Sequence, residues 1–473
     1  MLEWPFWEMP VENGRPKGYD SEIPDSFSES PQPGRTPTMT TSELTPDPDS
    51  HPELPAGIEI ASTSAKRPRL LSLDQLRGLT VASMFVVNFS GGFRAMPDIV
   101  KHHDGYETLA DWIMPTFLFM VGFSFRLSWL SSVKRVGTGK TVMKFLVRGL
   151  MLVGISLFLY AGEDDIKIES WEKSTWENLR TLIAITLKAN LWETLAIIGC
   201  AQMLMIPFIG RSWKTRVLVF IGLLAGHTVI SYQFNWNFVH GLPNFLDDYL
   251  GTKGKRAWDG GFFGLIGWSA LIIAGSLCHD FVMSRSSAGK AVPGLLIGGV
   301  LVAFIGWGVL GSMTRLYDVP GDATDEFKKE KLAASPVWPD FSKAQGRSIA
   351  ELMPEPPMVP IPGPEVRKFN YWMIYKRMVS VPFVVFNTGV AMALLGLFIW
   401  VSDIGGLRIP AFDRFGQNAL AAYCVHHYVA DVQHLFVPKD SPWWWCWFNL
   451  LLFMFIVDRV LAWMQRHNIR LSV

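Results

Sequence analysis

The sequence predicts an all-α fold: a polytopic integral membrane helix bundle of about ten transmembrane helices, with both termini in the cytosol. Three observations carry that prediction. Of 473 residues, 49% are hydrophobic, only 18% are charged and 20 are Trp, which is too apolar for an ordinary soluble enzyme of this length. Apolar stretches approaching the roughly 20 residues that cross a bilayer recur along the chain. Basic residues cluster after every second stretch, the pattern left by retention of Lys and Arg on the cytoplasmic side.

The spans are expected at about 75–93, 109–131, 142–161, 191–209, 215–232, 261–283, 292–313, 379–402, 416–436 and 442–465. Lys66, Arg67, Arg69 and Arg77 precede or open the first. Lys134, Arg135 and Lys140 follow the second; Arg211, Lys214 and Arg216 the fourth; Arg285 and Lys290 the sixth; Arg408 and Arg414 the eighth; Arg466 and Arg470 close the chain. The segments on the other side, 162–190, 233–260 and 314–378, are long, mixed in charge and rich in Trp, Pro and Asp. Lys376 and Arg377 fit the charge rule poorly. The 314–378 segment reads either as a lid or substrate-binding excursion or as an unstructured connection.

Residues 1–66 differ in kind. Rich in Pro, Ser and acidic residues, they cannot bury enough apolar surface to fold alone and are expected to form a disordered tail. The remainder, 67–473, forms the membrane domain. The four cysteines lie inside apolar spans, so neither a disulfide framework nor a metal site is expected. A net charge of +1 gives no reason to expect a nucleic-acid partner.

Polar groups inside apolar spans mark candidate functional positions, because hydrocarbon penalises them unless they face protein or water. Asp74 and Arg77 are three residues apart and can pair on one helix face. Asn88, eleven residues after Arg77, returns to within about 20° of that face. The three form a stripe that lines a path through the bundle, or else an interfacial anchor with one interhelical hydrogen bond. His102 and His103 lie in the loop after the first span, where an imidazole can serve as base or nucleophile at neutral pH. Asp111 either caps the second span or fixes the tautomer of that imidazole. Arg126 reads as a phosphate contact or as a snorkelling residue. Glu193, beside Asn190, reads as an acceptor-orienting group or a helix cap. His426, His427 and His434 share one weak span, and interhelical hydrogen bonding is the favoured reading for them.

Several of these residues fall in a recognisable order. The run Ser72-Leu73-Asp74-x-x-Arg77-Gly78, then Met84-x-x-Val87-Asn88, Lys101-His102, and Leu109-Ala110-Asp111 followed by Pro115 and Phe117, resembles the opening of the heparan-alpha-glucosaminide N-acetyltransferase family and its bacterial relatives. A second run, Gly416-Gln417-Asn418-Ala419-Leu420, resembles a motif near that family's C-terminus. The resemblance implies a transmembrane acyltransferase that draws on cytosolic acetyl-CoA and acetylates an amino or hydroxyl group of a saccharide or glycan on the outer face. It implies His102 as catalytic residue with Asn88 and Asp111 as its partners, and Asp74, Arg77 and Arg126 on the CoA side. His103 and Glu193 fall on the acceptor side, His103 also being the alternative to His102. The expected location is the inner membrane of a bacterium, with a homodimer left open. The chain departs from the family in its fourth span, where NLWETLAIIGCAQML replaces an expected basic, Pro-Gly-containing run, and it has one span fewer than the animal enzyme. A transporter or lipid-linked-sugar translocase is the competing class; its marks would be broken helices at mid-membrane and an inverted repeat, and the sequence displays neither.

Overall fold

The computed structural model describes residues 70–103, 105–160, 172–188, 192–251, 254–469 and 471. The expected tail at 1–66 lies outside them. Twelve helices organise the described chain: α1 Leu71–Ser90, α2 Leu109–Val136, α3 Thr138–Tyr160, α4 Thr175–Lys188, α5 Thr194–Ile209, α6 Trp213–His240, α7 Gly261–Met283, α8 Ala288–Tyr317, α9 Val381–Ile404, α10 Pro410–Gln417, α11 Ala419–His434 and α12 Trp443–Arg466. Two isolated β-bridges, Asp318 with Arg367 and Leu332 with Phe369, are the only strand pairing among the described residues.

Seven of these helices are long and apolar enough to cross a membrane: α2, α3, α6, α7, α8, α9 and α12. Helices α1, α5 and α11 occupy the expected first, fourth and ninth spans but are shorter or more polar. Most boundaries lie within a few residues of those read from the sequence. The exception is α6, which runs to His240 through a π-type turn at Ser231–Asn235, because Trp236, Phe238 and Val239 are buried against Phe369 and Tyr371.

Close helix approach comes from small residues, as expected where lipid removes the hydrophobic drive between helices. A Cβ on Gly78 of α1 would strike the Phe412 backbone of α10, and one on Gly416 would strike the Asp74 carbonyl. This pair of glycines explains the Gly416 motif: its role is to let α10 lie against α1. Gln75 pins the same contact, donating from Nε2 to Asp413 Oδ1 (2.6 Å) and accepting from the Ile409 amide (3.0 Å). The N-terminus of α1 is capped from afar, since Asp403 Oδ1 accepts from the amides of Leu71 (2.8 Å) and Ser72 (3.3 Å). Gly122 of α2 and Gly275 of α7 make a second crossing of the same type.

The 314–378 segment is ordered rather than unstructured. Arg367, fully buried, pairs with Asp318 (2.7 Å) and Glu355. Arg347 joins Asp318 at 2.9 Å, and the Tyr317 hydroxyl donates to the Ser335 and Pro336 carbonyls at 3.0 and 2.9 Å. These bonds fold the segment into a cap in which Met373 and Tyr375 pack in one buried cluster and Ile374 in the bundle core, just ahead of Lys376.

Candidate functional site

One cavity of about 590 Å³ lies between α1, α2, α3, α5, α10 and α11. From α1 it is lined by Arg77, Thr80, Val81, Met84, Val87 and Asn88. That spacing is one helix face, so the stripe expected from Arg77 and Asn88 is a cavity wall. Arg77 is oriented by Ser124 Oγ of α2 (2.7 Å) and by Asp74 (3.7 Å), which is itself buried. Asn88 Nδ2 is 3.2 Å from His426 Nε2. His426 is buried, stacks on Phe85, and directs Nδ1 to the Tyr423 carbonyl. An Asn88 that donates to Nε2 therefore goes with an Nδ1–H that donates to Tyr423.

His102 lies on the same cavity. Its Nδ1 is 2.7 Å from Asp111 Oδ1, and its side chain is 39% exposed against 1% for Asp111. The second carboxylate oxygen, Oδ2, accepts from the Thr108 amide (3.1 Å) and hydroxyl (3.0 Å). Asp111 thus performs both tasks open to it: Oδ2 closes the capping box of α2 while Oδ1 holds the imidazole. The loop itself is tied down by Thr108 Oγ1 donating to the Lys101 carbonyl at 2.8 Å. With Nδ1 engaged, Nε2 is the nitrogen left for a reacting group.

On the side of Asp111 the cavity carries Glu193, Trp258, Asp259 and Lys376. Lys376 Nζ is 3.2 Å from Asp259 Oδ2 and its side chain is 13% exposed. Burial works against its charge, but the carboxylates of Asp259, Asp111 and Glu193 outweigh that, so its pKa is raised and it stays protonated. Glu107, 1% exposed, has the opposite problem. Burial, with Asp111 close by, lifts its pKa well above the usual carboxylate range, although Asn387 donates to Oε1 at 2.9 Å. Its Oε2 has no partner among the described residues.

Other candidates lie away from the cavity. Arg126 donates to Asp280 through Nε and Nη2 (3.1 Å each) and to the Ile209 carbonyl (2.6 Å), and Arg216 and His279 share that carboxylate. It belongs to a buried ion cluster between α2, α6 and α7. His103 points to the Asp98 carbonyl (3.2 Å) and stacks on Tyr106. His427 and His434 make separate contacts, with Asp431 (3.9 Å) and the Phe89 carbonyl (3.2 Å).

Sequence reasoning missed Lys376, Asp259, Arg148, Gln202 and Tyr423, all on the cavity wall. Of these only Lys376 left a signal, as the basic residue that broke the charge rule. Its position is explained by the carboxylates around it rather than by a cytosolic loop. No curated protein gives a significant match to the chain. The profile of the acyltransferase domain matches residues 70–457, from the start of α1 into α12, and the chain therefore belongs to that family of membrane acyltransferases.

Proposed function

We propose that the protein transfers an acetyl group from acetyl-CoA to an amino or hydroxyl group of a saccharide, in the manner of the heparan-alpha-glucosaminide N-acetyltransferase family that its motifs resemble. The observation that carries this reading is His102: an imidazole held through Nδ1 by a buried carboxylate, on one cavity that has a guanidinium at one end and a cluster of Trp, Asp, Glu and Lys at the other. The donor enters from the Arg77 side, which faces the cytosol together with both termini, and the acceptor from the Trp258 side. Trp258 offers an aromatic face for a sugar ring, and Glu193 and Asp259 accept from its hydroxyl or ammonium groups. The membrane in question is the inner membrane of a bacterium.

His102 then acts as general base. Asp111 keeps the proton on Nδ1, so Nε2 takes the proton of the acceptor N–H or O–H as that atom bonds to the thioester carbon. The C–S bond breaks, and the proton passes from Nε2 to the departing thiolate. One cavity accommodating both ends supports direct transfer. The protonated Lys376 places a positive charge near the carboxylates of the acceptor side, where it also balances Asp259. Purified protein given acetyl-CoA and glucosamine tests the reading: His102→Ala is expected to lose at least about 100-fold of thiol release coupled to acetylation, the size of a general-base contribution. Full transfer by that variant overturns it.

A further inference from the structure

Arg148 lies in the middle of α3, on the cavity wall. Its Nε is buried, and it makes no hydrogen bond or ion pair among the described residues. The contrast with the neighbouring guanidiniums is sharp: Arg126 and Arg216 share Asp280, and Arg77 has Ser124 and Asp74. A guanidinium kept inside a bundle without a carboxylate is a group whose counter-charge arrives with a ligand. The facing helix carries a second unsatisfied group. Gln202 of α5 is 2% exposed, lines the same cavity, and its Oε1 has no partner. The two sit beside one crossing, because Gly149 and Gly199 bring the α3 and α5 backbones together.

We propose that Arg148 and Gln202 form the anchoring subsite for the acyl donor. Arg148, with Arg77 from the opposite wall of the same cavity, binds the donor's phosphoryl oxygens, and the Gln202 amide oxygen accepts an N–H from its amide-bearing arm. The ligand class is a phosphorylated thioester carrier with secondary amides. The assignment deepens the acetyl-CoA reading above and rests on it. A phospholipid headgroup also presents phosphate but brings a different body, so it is the source the test must separate.

The experiment uses the full-length protein in neutral detergent and measures binding and thermal shift with CoA, with pantetheine, which keeps the amides and thiol but lacks the phosphates, and with phosphatidylglycerol. CoA is expected to bind the parent chain about 10- to 100-fold more tightly than pantetheine, the size of one or two charge-assisted bonds. Arg148→Gln removes most of that difference, Arg77 keeping the rest, and leaves pantetheine affinity in place, while Arg148→Lys loses less. Gln202→Leu weakens CoA and pantetheine alike. Ligand-free Arg148→Gln melts no lower than the parent, since an unpartnered charge has gone. Unchanged CoA affinity in Arg148→Gln, with the parent binding CoA, overturns the subsite and leaves the donor reading intact. No CoA binding by the parent, together with Arg148-dependent binding of phosphatidylglycerol, overturns the donor reading and this assignment with it. Loss of folding in both Arg148 variants makes the residue structural and also overturns the proposal.

Discussion

His102 Nδ1 and the buried Asp111 Oδ1 are 2.7 Å apart, and the proposed general-base role depends on that contact. Asp111→Asn leaves the capping oxygen but releases Nδ1, so the wrong tautomer becomes available. Its turnover is expected to fall by about 10²- to 10⁴-fold with little change in apparent donor affinity, measured by initial rates of acetylation. Glu107 gives a stability prediction. Its folded-state pKa lies above the ordinary value of 4.5, so the folded protein holds a proton that the unfolded chain has released. That contribution is complete below about pH 4.5 and is lost as pH rises towards the folded-state value, with a slope of at most about 1.4 kcal/mol per pH unit. Melting curves from pH 5 to 8 are expected to decline for the parent and to flatten in Glu107→Gln; equal slopes would exclude Glu107 as the cause. Asn88 and Arg77 were legible as polar residues within or beside an apolar span, and His102 with Asp111 through the family resemblance around them. Arg148 and Gln202 were not, because a single polar residue in an apolar helix says nothing about whether a partner waits for it.

At the scale of the element, glycine contacts and distant caps hold the wall of the cavity in place. Gly416→Val would drive a side chain into the α1 backbone beside Asp74, at a cost on the order of 3 kcal/mol, and would displace Arg77 with it. Asp403→Ala removes the acceptor for two amides at the start of α1 and is expected to cost about 1 kcal/mol. Chemical denaturation in detergent measures both; a Gly416→Val protein as stable as the parent would contradict the packing described here. Helix positions were legible because apolar runs of membrane length leave few alternatives. The break between α10 and α11 was not, since it occurs at Asn418, inside a run expected to form one span. The order in the 314–378 cap was also hidden: it rests on Arg367 meeting Asp318 and Glu355, partners 49 and 12 residues away, and no local pattern announces them.

For the whole molecule, what matters is that one cavity joins groups from six helices, the cap and the α6–α7 connection. The sequence pointed to the first helix pair as its front wall, and α1 and α2 do supply Arg77, Asn88 and the Asp111 that holds His102. The back wall from α3, α5 and α11 follows from tertiary packing alone. The proposed function puts the donor at the Arg77 side of this cavity and the acceptor at the Trp258 side, so the two substrates would meet from opposite sides of the bilayer. Sealed proteoliposomes, with acetyl-CoA confined to one side and glucosamine to the other, measure this directly. The account predicts acetylated product on the acceptor side, from molecules whose Arg77 end faces the donor, and its disappearance in His102→Ala; transfer only when both substrates share a side, or undiminished transfer in that variant, would contradict it.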